Sequence, residues 1–187
     1  LPLCSRCTGI YAGFLVSFVF AWIMHGRKKF LRFDKKVYAL SSILLLAFFL
    51  DSLLSYAGLY IAANPARLLL GLLGGMPLGI FSFALLNDSL SEKRYFIKTQ
   101  FSLKDFSLLA FIMLGLFSLI AFSQFRFVFC LWTILGAGGL LFTYAAVNLT
   151  VVSLFLAGQK NRKKFRLKLA VYTILLIAAE TLLLAFI

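Results

Sequence analysis

The sequence predicts an all-α integral membrane protein, a single transmembrane domain over residues 1–187 built from about six membrane-spanning helices. Composition is the first reason: 63% of the residues are hydrophobic, the mean hydropathy is +1.00 and 13% are charged, whereas soluble domains carry about 25% charged residues. The second reason is six apolar runs, most of them near the roughly 20 residues that a spanning helix needs. These runs lie at 8–24, 37–56, 65–86, 106–122, 127–156 and 167–186.

The basic residues predict an orientation for these spans. Apart from Arg6, Arg67 and Arg126, every Lys and Arg lies in the loops that follow the first, third and fifth runs. Because such loops stay in the cytoplasm, we expect a multi-pass plasma-membrane protein whose N-terminus and C-terminus are extracytoplasmic. The net charge of +13 then comes from basic residues that hold loops in the cytoplasm. We therefore expect the lipid bilayer as partner and no nucleic acid. The oligomeric state stays open.

The strongest candidate for chemistry is Cys4-Ser5-Arg6-Cys7, which opens the first span. Two thiols at this spacing can share a metal ion or form a disulfide. Cys4 and Cys7 could be metal ligands, but a structural zinc site needs four, and Cys130 is the only other thiol. They could instead be the catalytic pair of a membrane thiol–disulfide oxidoreductase, with Arg6 and the helix N-terminus lowering a thiol pKa. A plain disulfide or free thiols is the third interpretation, so enzyme activity stays uncertain.

Three arginines mark the extracytoplasmic ends of the inward-running spans. Arg6, Arg67 and Arg126 each lie at the start of such a span, where the helix terminus carries partial positive charge. Asn64 and Pro65 form a typical helix start beside Arg67. One interpretation is that the arginines anchor the protein to lipid phosphates. The other is a site for a small or lipid-borne anionic ligand.

Two acidic residues, Asp51 and Glu180, lie inside spans. A carboxylate in hydrocarbon is costly, so each is expected to face the bundle interior with a partner. Arg67 and Arg6 lie at a suitable depth for Asp51, and a buried ion pair would join the second and third helices. The functional alternative is a proton-coupled transporter that uses Asp51 and Glu180. The predicted ligand pocket consists of Arg6, Arg67, Asp51, Asn64 and Glu180.

Small residues at four-residue steps predict which helices touch. They are Gly9 and Gly13 in the first span, and Gly71, Gly75 and Gly79 in the third. We therefore expect these two helices to pack closely. The segment Lys93–Lys104 mixes basic and aromatic residues, which indicates a piece lying in the cytoplasmic interface.

Three stretches resemble a known family: PLCSRCTGIYAGF at 2–14, the intramembrane Asp51, and NPARLLLGLLGG at 64–75. Over roughly its first half, the chain is similar to an uncharacterised family of prokaryotic membrane proteins, domain of unknown function 2085. The resemblance implies a Cys-His pair and an Arg-Ser element shortly before the Cys-x-x-Cys. Both would precede Leu1, so we expect a fragment that lacks them. It also implies a zinc site in the full-length protein, with Cys4 and Cys7 as two ligands. It implies no activity.

Overall fold

The computed structural model describes residues 4–26, 29–59, 63–90, 97–122, 126–156 and 171–173. Its elements are α1 Ser5–His25, β1 Lys29–Phe33, α2 Lys35–Tyr56, α3 Asn64–Leu90, β2 Ile97–Phe101, α4 Leu103–Phe122 and α5 Arg126–Leu156. Within these ranges, five helices are long and apolar enough to cross a membrane, which confirms the predicted transmembrane bundle. Residues 171–173 are helical and fall in the sixth predicted span, whose other residues lie outside the described ranges.

The helices are arranged as an inner trio with outer helices around it. The inner helices α1, α3 and α5 all contact one another, and α2 and α4 pack mainly against α3. The outer helices turn apolar side chains outward, with Ile43, Phe49, Leu53, Phe111 and Leu119 all exposed. In a bilayer such a surface contacts lipid acyl chains, so exposing these apolar side chains carries no free-energy penalty. The side chains that need protein partners are therefore concentrated on α1, α3 and α5.

The seam between α1 and α3 is the closest helix contact. A Cβ atom added at Gly9 would lie 2.6 Å from the carbonyl oxygen of Leu68, and one at Gly13 would meet the carbonyl of Leu72. From the other side, Cβ atoms at Gly71 and Gly75 would meet the carbonyls of Arg6 and Ile10. Backbone thus lies directly on backbone, which only glycine permits. The predicted tight packing of these two helices is confirmed.

A two-stranded parallel sheet lies at the opposite end of the bundle from Cys4. Strands β1 and β2 pair with Phe33 opposite Phe101, and both of these side chains are buried. The ring centroid of His25 lies 5.3 Å from that of Phe101, so the sheet covers the end of α1. The sequence predicted an interfacial segment here and no strand. The pairing brings the connections α1–α2 and α3–α4 to the same end of the bundle.

The seam generates a prediction about stability. In Gly75→Ala the new methyl group would press on the Ile10 carbonyl and the Phe14 nitrogen, and the two helices would have to separate. We expect a loss of roughly 1–3 kcal/mol, typical of overpacking. The measurement is thermal unfolding in dodecyl maltoside.

Gly115→Ala in α4 is the matched control, because a Cβ at Gly115 meets nothing within 4 Å. Helix propensity predicts that this change is neutral or stabilises by up to about 1 kcal/mol. Equal stability of the two variants would contradict the close backbone contact.

Candidate functional site at the start of the inner helices

The cysteine pair forms the first turn of α1. Cys4 is the N-cap residue, with extended backbone angles, and its Sγ accepts the backbone N–H of Cys7 at 3.2 Å. The Sγ atoms of Cys4 and Cys7 lie 2.7 Å apart. Cys4 is exposed and Cys7 is half-buried. The helical spacing thus places both sulfurs at one helix N-terminus, where partial positive charge favours a thiolate.

The surroundings of Cys4 favour its ionised form. Partial burial alone would raise the pKa of the Cys4 thiol, but hydrogen bonds with the Cys7 thiol and backbone, and then the charge of Arg6, outweigh it. The net result is a pKa below the ordinary value of a cysteine. A larger thiolate fraction makes Cys4 a better nucleophile and a better metal ligand.

The pair by itself does not complete a zinc site. Two sulfurs on one tetrahedral zinc ion lie roughly 3.8 Å apart, given a Zn–S distance of about 2.3 Å, so side-chain rotation would have to move them apart by about 1 Å. In the described ranges, no group of three or more His, Cys, Asp or Glu residues could hold a metal ion. The described residues therefore offer at most two of the four ligands that a structural zinc site needs.

Two arginine contacts connect α2 to the inner helices at this end. Arg6 Nη2 donates to Asp51 Oδ2 at 2.6 Å, with the side chains 19% and 7% exposed. Arg67 Nη2 donates to Ser55 Oγ at 3.3 Å. Asp51 and Ser55 are one turn apart on α2, so they lie on one face. The two arginines therefore reach the same face of α2 from two inner helices.

The structure shows which of two candidate arginines pairs with Asp51. Both Arg6 and Arg67 had suitable depth, and an Asp51 pair was expected to join the second and third helices. The pair with Arg6 instead joins the first and second helices. Ser55 was not singled out in the sequence, although it follows Asp51 by one turn and is an available acceptor.

Other predicted site residues are placed as follows. Asn64 is exposed and is the first residue of α3, while the carbonyl of Ala63 accepts the N–H of Arg67 at 3.1 Å. Ala63 thus holds the N-cap position that the sequence assigned to Asn64. Arg126 begins α5 and Cys130 follows in it, but their side chains lie outside the described part of the structure, as does all of Glu180.

Three nitrogen atoms at this end of the bundle are buried and have no hydrogen-bond partner in the described ranges. They are Arg6 Nε, Arg67 Nε and Trp132 Nε1. All three are donors and none can accept. Trp132 was missed by sequence reasoning; the available signal was its position one turn before Gly136, on the small-residue face of α5.

The Arg6–Asp51 pair generates a test by double-mutant cycle. Arg6→Gln leaves a buried carboxylate without its ionic partner, which costs on the order of 3 kcal/mol. Arg6→Gln/Asp51→Asn replaces the ion pair by neutral amides, and we expect it to be more stable than Arg6→Gln alone. Thermal unfolding of the wild type, both single variants and the double variant gives the coupling energy. Additive losses would contradict a direct pair.

Comparison with known proteins finds one matching family model. No curated protein and no solved structure matches the chain. One family model matches residues 1–81, a range that includes Cys4, Arg6, Cys7, Asp51 and Arg67. The match confirms the resemblance expected from the sequence. Residues 1–81 are thus similar to the family described as "Predicted membrane protein (DUF2085)".

Proposed function

We propose that the Cys4 end of this membrane protein binds a small or lipid-borne anionic ligand between the starts of α1 and α3. The observation that carries the proposal is Arg67. Its guanidinium is half-buried and donates to the neutral hydroxyl of Ser55 at 3.3 Å, while Asp51 pairs with Arg6. In the described ranges, Arg67 thus has no carboxylate partner.

The charge balance at this end favours an anion. Among the described side chains, the two guanidinium groups of Arg6 and Arg67 face one carboxylate, and the N-termini of α1 and α3 add further partial positive charge. A buried charge without a counter-ion costs several kcal/mol, and a bound anion removes that cost. Interfacial anchoring to lipid phosphates draws on the same chemistry, but the contacts of Arg6 and Arg67 with α2 hold both side chains against the bundle.

The other predicted pocket residues take different roles in this proposal. Asp51 holds Arg6 in place and leaves its remaining N–H groups for the ligand. Asn64 is exposed at the start of α3, where its amide can contact a ligand at the mouth of the site. Glu180 has no role in the argument because it lies outside the described residues.

The orientation also remains a proposal, with support from the sheet. The pairing of β1 with β2 places two basic connections at one end of the bundle and the cysteine pair at the other. Because basic loops stay in the cytoplasm, we place the ligand site on the extracytoplasmic side of the plasma membrane. Proton-coupled transport through Asp51 and Glu180 stays a prediction, and the direct ion pair of Asp51 favours a structural role instead.

Ligand binding predicts stabilisation by anions. In dodecyl maltoside at constant ionic strength, sulfate, phosphate or a carboxylate should raise the melting temperature of the wild type above its value in chloride, because ligands that bind only the folded state stabilise it. Arg67→Gln should abolish the shift.

Arg32→Gln is the matched control, since Arg32 is exposed at the opposite end. It should leave the anion-dependent shift unchanged. Equal loss of the shift in both variants, or no shift in the wild type, would contradict the proposal.

Thiol–disulfide exchange is a second candidate, favoured by the exposed Cys4 with its lowered pKa beside Cys7. The Cys4 thiolate would attack a disulfide substrate, forming a mixed disulfide and releasing the first substrate thiolate. The Cys7 thiolate would then attack Cys4 Sγ and release the second. The substrate gains two electrons, and the Cys4–Cys7 disulfide forms.

Two measurements test this candidate against metal binding. Because its pKa is lowered, Cys4 in the wild type should be alkylated by iodoacetamide with a midpoint below the pH of about 8.5 that is typical of a free cysteine, as followed by mass spectrometry of the peptide that contains Cys4. Arg6→Gln should move the midpoint up, whereas Arg6→Lys should not. A midpoint at the ordinary value would contradict thiol activation.

Metal analysis of the purified protein completes the comparison. About one zinc ion per chain, lost in Cys4→Ser/Cys7→Ser, would favour the zinc site that the family resemblance implies. A metal-free protein with a reversible Cys4–Cys7 disulfide would favour exchange.

A further inference from the structure

Trp132 is a buried indole whose N–H has no acceptor among the residues that the structure describes. Its side chain is 4% exposed, and its Nε1 has no partner in the described ranges. A buried donor without an acceptor is destabilising, and an indole N–H in a protein interior usually finds a partner. The unsatisfied donor therefore indicates a position where something other than the described side chains accepts the hydrogen bond.

The packing of α5 places Trp132 near the depth of the cysteine pair. A Cβ added at Gly136 would meet the side chain of Thr8, and one at Gly139 would meet the carbonyl of Tyr11. Both contacts advance in the same direction along α1 and α5, so the two helices run parallel. One turn before Gly136, Trp132 lies on the same face of α5, at the depth of the first turn of α1.

The two arginines lie at a similar depth on the other inner helices. A Cβ at Gly71 would meet the carbonyl of Arg6, and Arg67 precedes Gly71 by one turn. Arg6, Arg67 and Trp132 are thus placed on α1, α3 and α5 within about one helical turn, roughly 5 Å, of one another along the bundle axis. Each carries a buried N–H without an acceptor in the described ranges.

We infer that these three residues bind a phosphate group, either inorganic phosphate or the headgroup of a phosphate-bearing lipid, and that Trp132 is its third donor. This inference rests on the proposed anion site and specifies its ligand class. Three donors from three helices approach from different directions, and each can have its own acceptor if the ligand offers three or more oxygens that do not lie in one plane. A phosphate has this arrangement, whereas a carboxylate has two oxygens in a plane.

The charges and the location agree with a phosphate. Arg67 is not balanced by a carboxylate in the described ranges, and the N-termini of α1, α3 and α5 lie at this end, so an oxyanion of one or two negative charges fits the local field. The first turns of membrane helices lie at the level of the lipid headgroups. Free phosphate and a lipid headgroup can both reach that level, and both offer the same oxygens.

The experiment is isothermal titration calorimetry of the full chain in dodecyl maltoside, which has no phosphate. The probes are inorganic phosphate, dodecyl phosphate and acetate. We expect phosphate oxygens to bind and acetate to bind at least about 10-fold more weakly. Trp132→Phe keeps the aromatic volume and removes the donor, so it should weaken phosphate binding by about 3- to 10-fold, as expected for one neutral hydrogen bond. Its melting temperature without phosphate should not fall.

The outcomes distinguish the proposed anion site from the role of Trp132 as its third donor. If Arg67→Gln abolishes phosphate binding and Trp132→Phe has no effect, the third donor is wrong and the anion site stands. If neither variant changes binding, both claims fail. Equal affinity for inorganic and dodecyl phosphate would indicate free phosphate as the ligand. An affinity for dodecyl phosphate at least about 10-fold higher would indicate a lipid.

A second measurement does not depend on a Trp132 variant folding. The chain has two tryptophans, so Trp22→Phe leaves Trp132 as the sole tryptophan, whose emission is observed with excitation that tyrosine does not absorb. Phosphate should shift its emission in a saturable manner, at the concentrations that calorimetry gives for binding, and acetate should not. An emission spectrum that phosphate leaves unchanged would overturn the assignment of Trp132.

Discussion

The close contact between α1 and α3 determines most of the geometry at the Cys4 end. Along this seam glycines of each helix lie on carbonyls of the other, so the two backbones approach more closely than any side chain would allow. The same contact places the carbonyl of Arg6 beside Gly71, and it thereby brings two arginine-bearing first turns together. Neither arginine can move away without opening the seam. The positive charge at this end is a consequence of how the helices pack.

The residues that the structure describes balance that charge only in part. Asp51 neutralises Arg6 through a short ion pair that is largely shielded from solvent, while Arg67 has the neutral hydroxyl of Ser55. In a membrane bundle, such an imbalance has to be offset by solvent, lipid or ligand. Trp132 is uncharged but also needs an acceptor from outside the described ranges, since its buried N–H lacks one within them. One oxyanion would satisfy both.

The cysteine pair is linked to this site through Arg6. The residue lies between the two cysteines in the chain, its charge contributes to the lowered pKa of Cys4, and its guanidinium pairs with Asp51. A change at the sulfurs, by oxidation or by metal binding, would alter the first turn of α1 and with it the backbone of Arg6. The cysteine pair and the proposed anion site thus share the first turn of α1.

The amino-acid sequence alone determined the class of protein, the placement of the described helices and the α1–α3 seam. Hydropathy and glycine spacing are properties of single segments, and the bilayer requires each spanning segment to satisfy its own backbone. The Cys-x-x-Cys motif likewise needs only one helical turn to place its sulfurs together.

Only the tertiary structure decided which arginine pairs with Asp51, because Arg6 and Arg67 have similar depth and the choice depends on helix rotation and side-chain reach. The same holds for the sheet, since β1 and β2 are more than sixty residues apart in the chain and their pairing depends on how α1 and α3 pack. Trp132 enters the proposed site for the same reason. Its sequence neighbours are ordinary membrane residues, and the unsatisfied N–H arises only when α5 packs against α1.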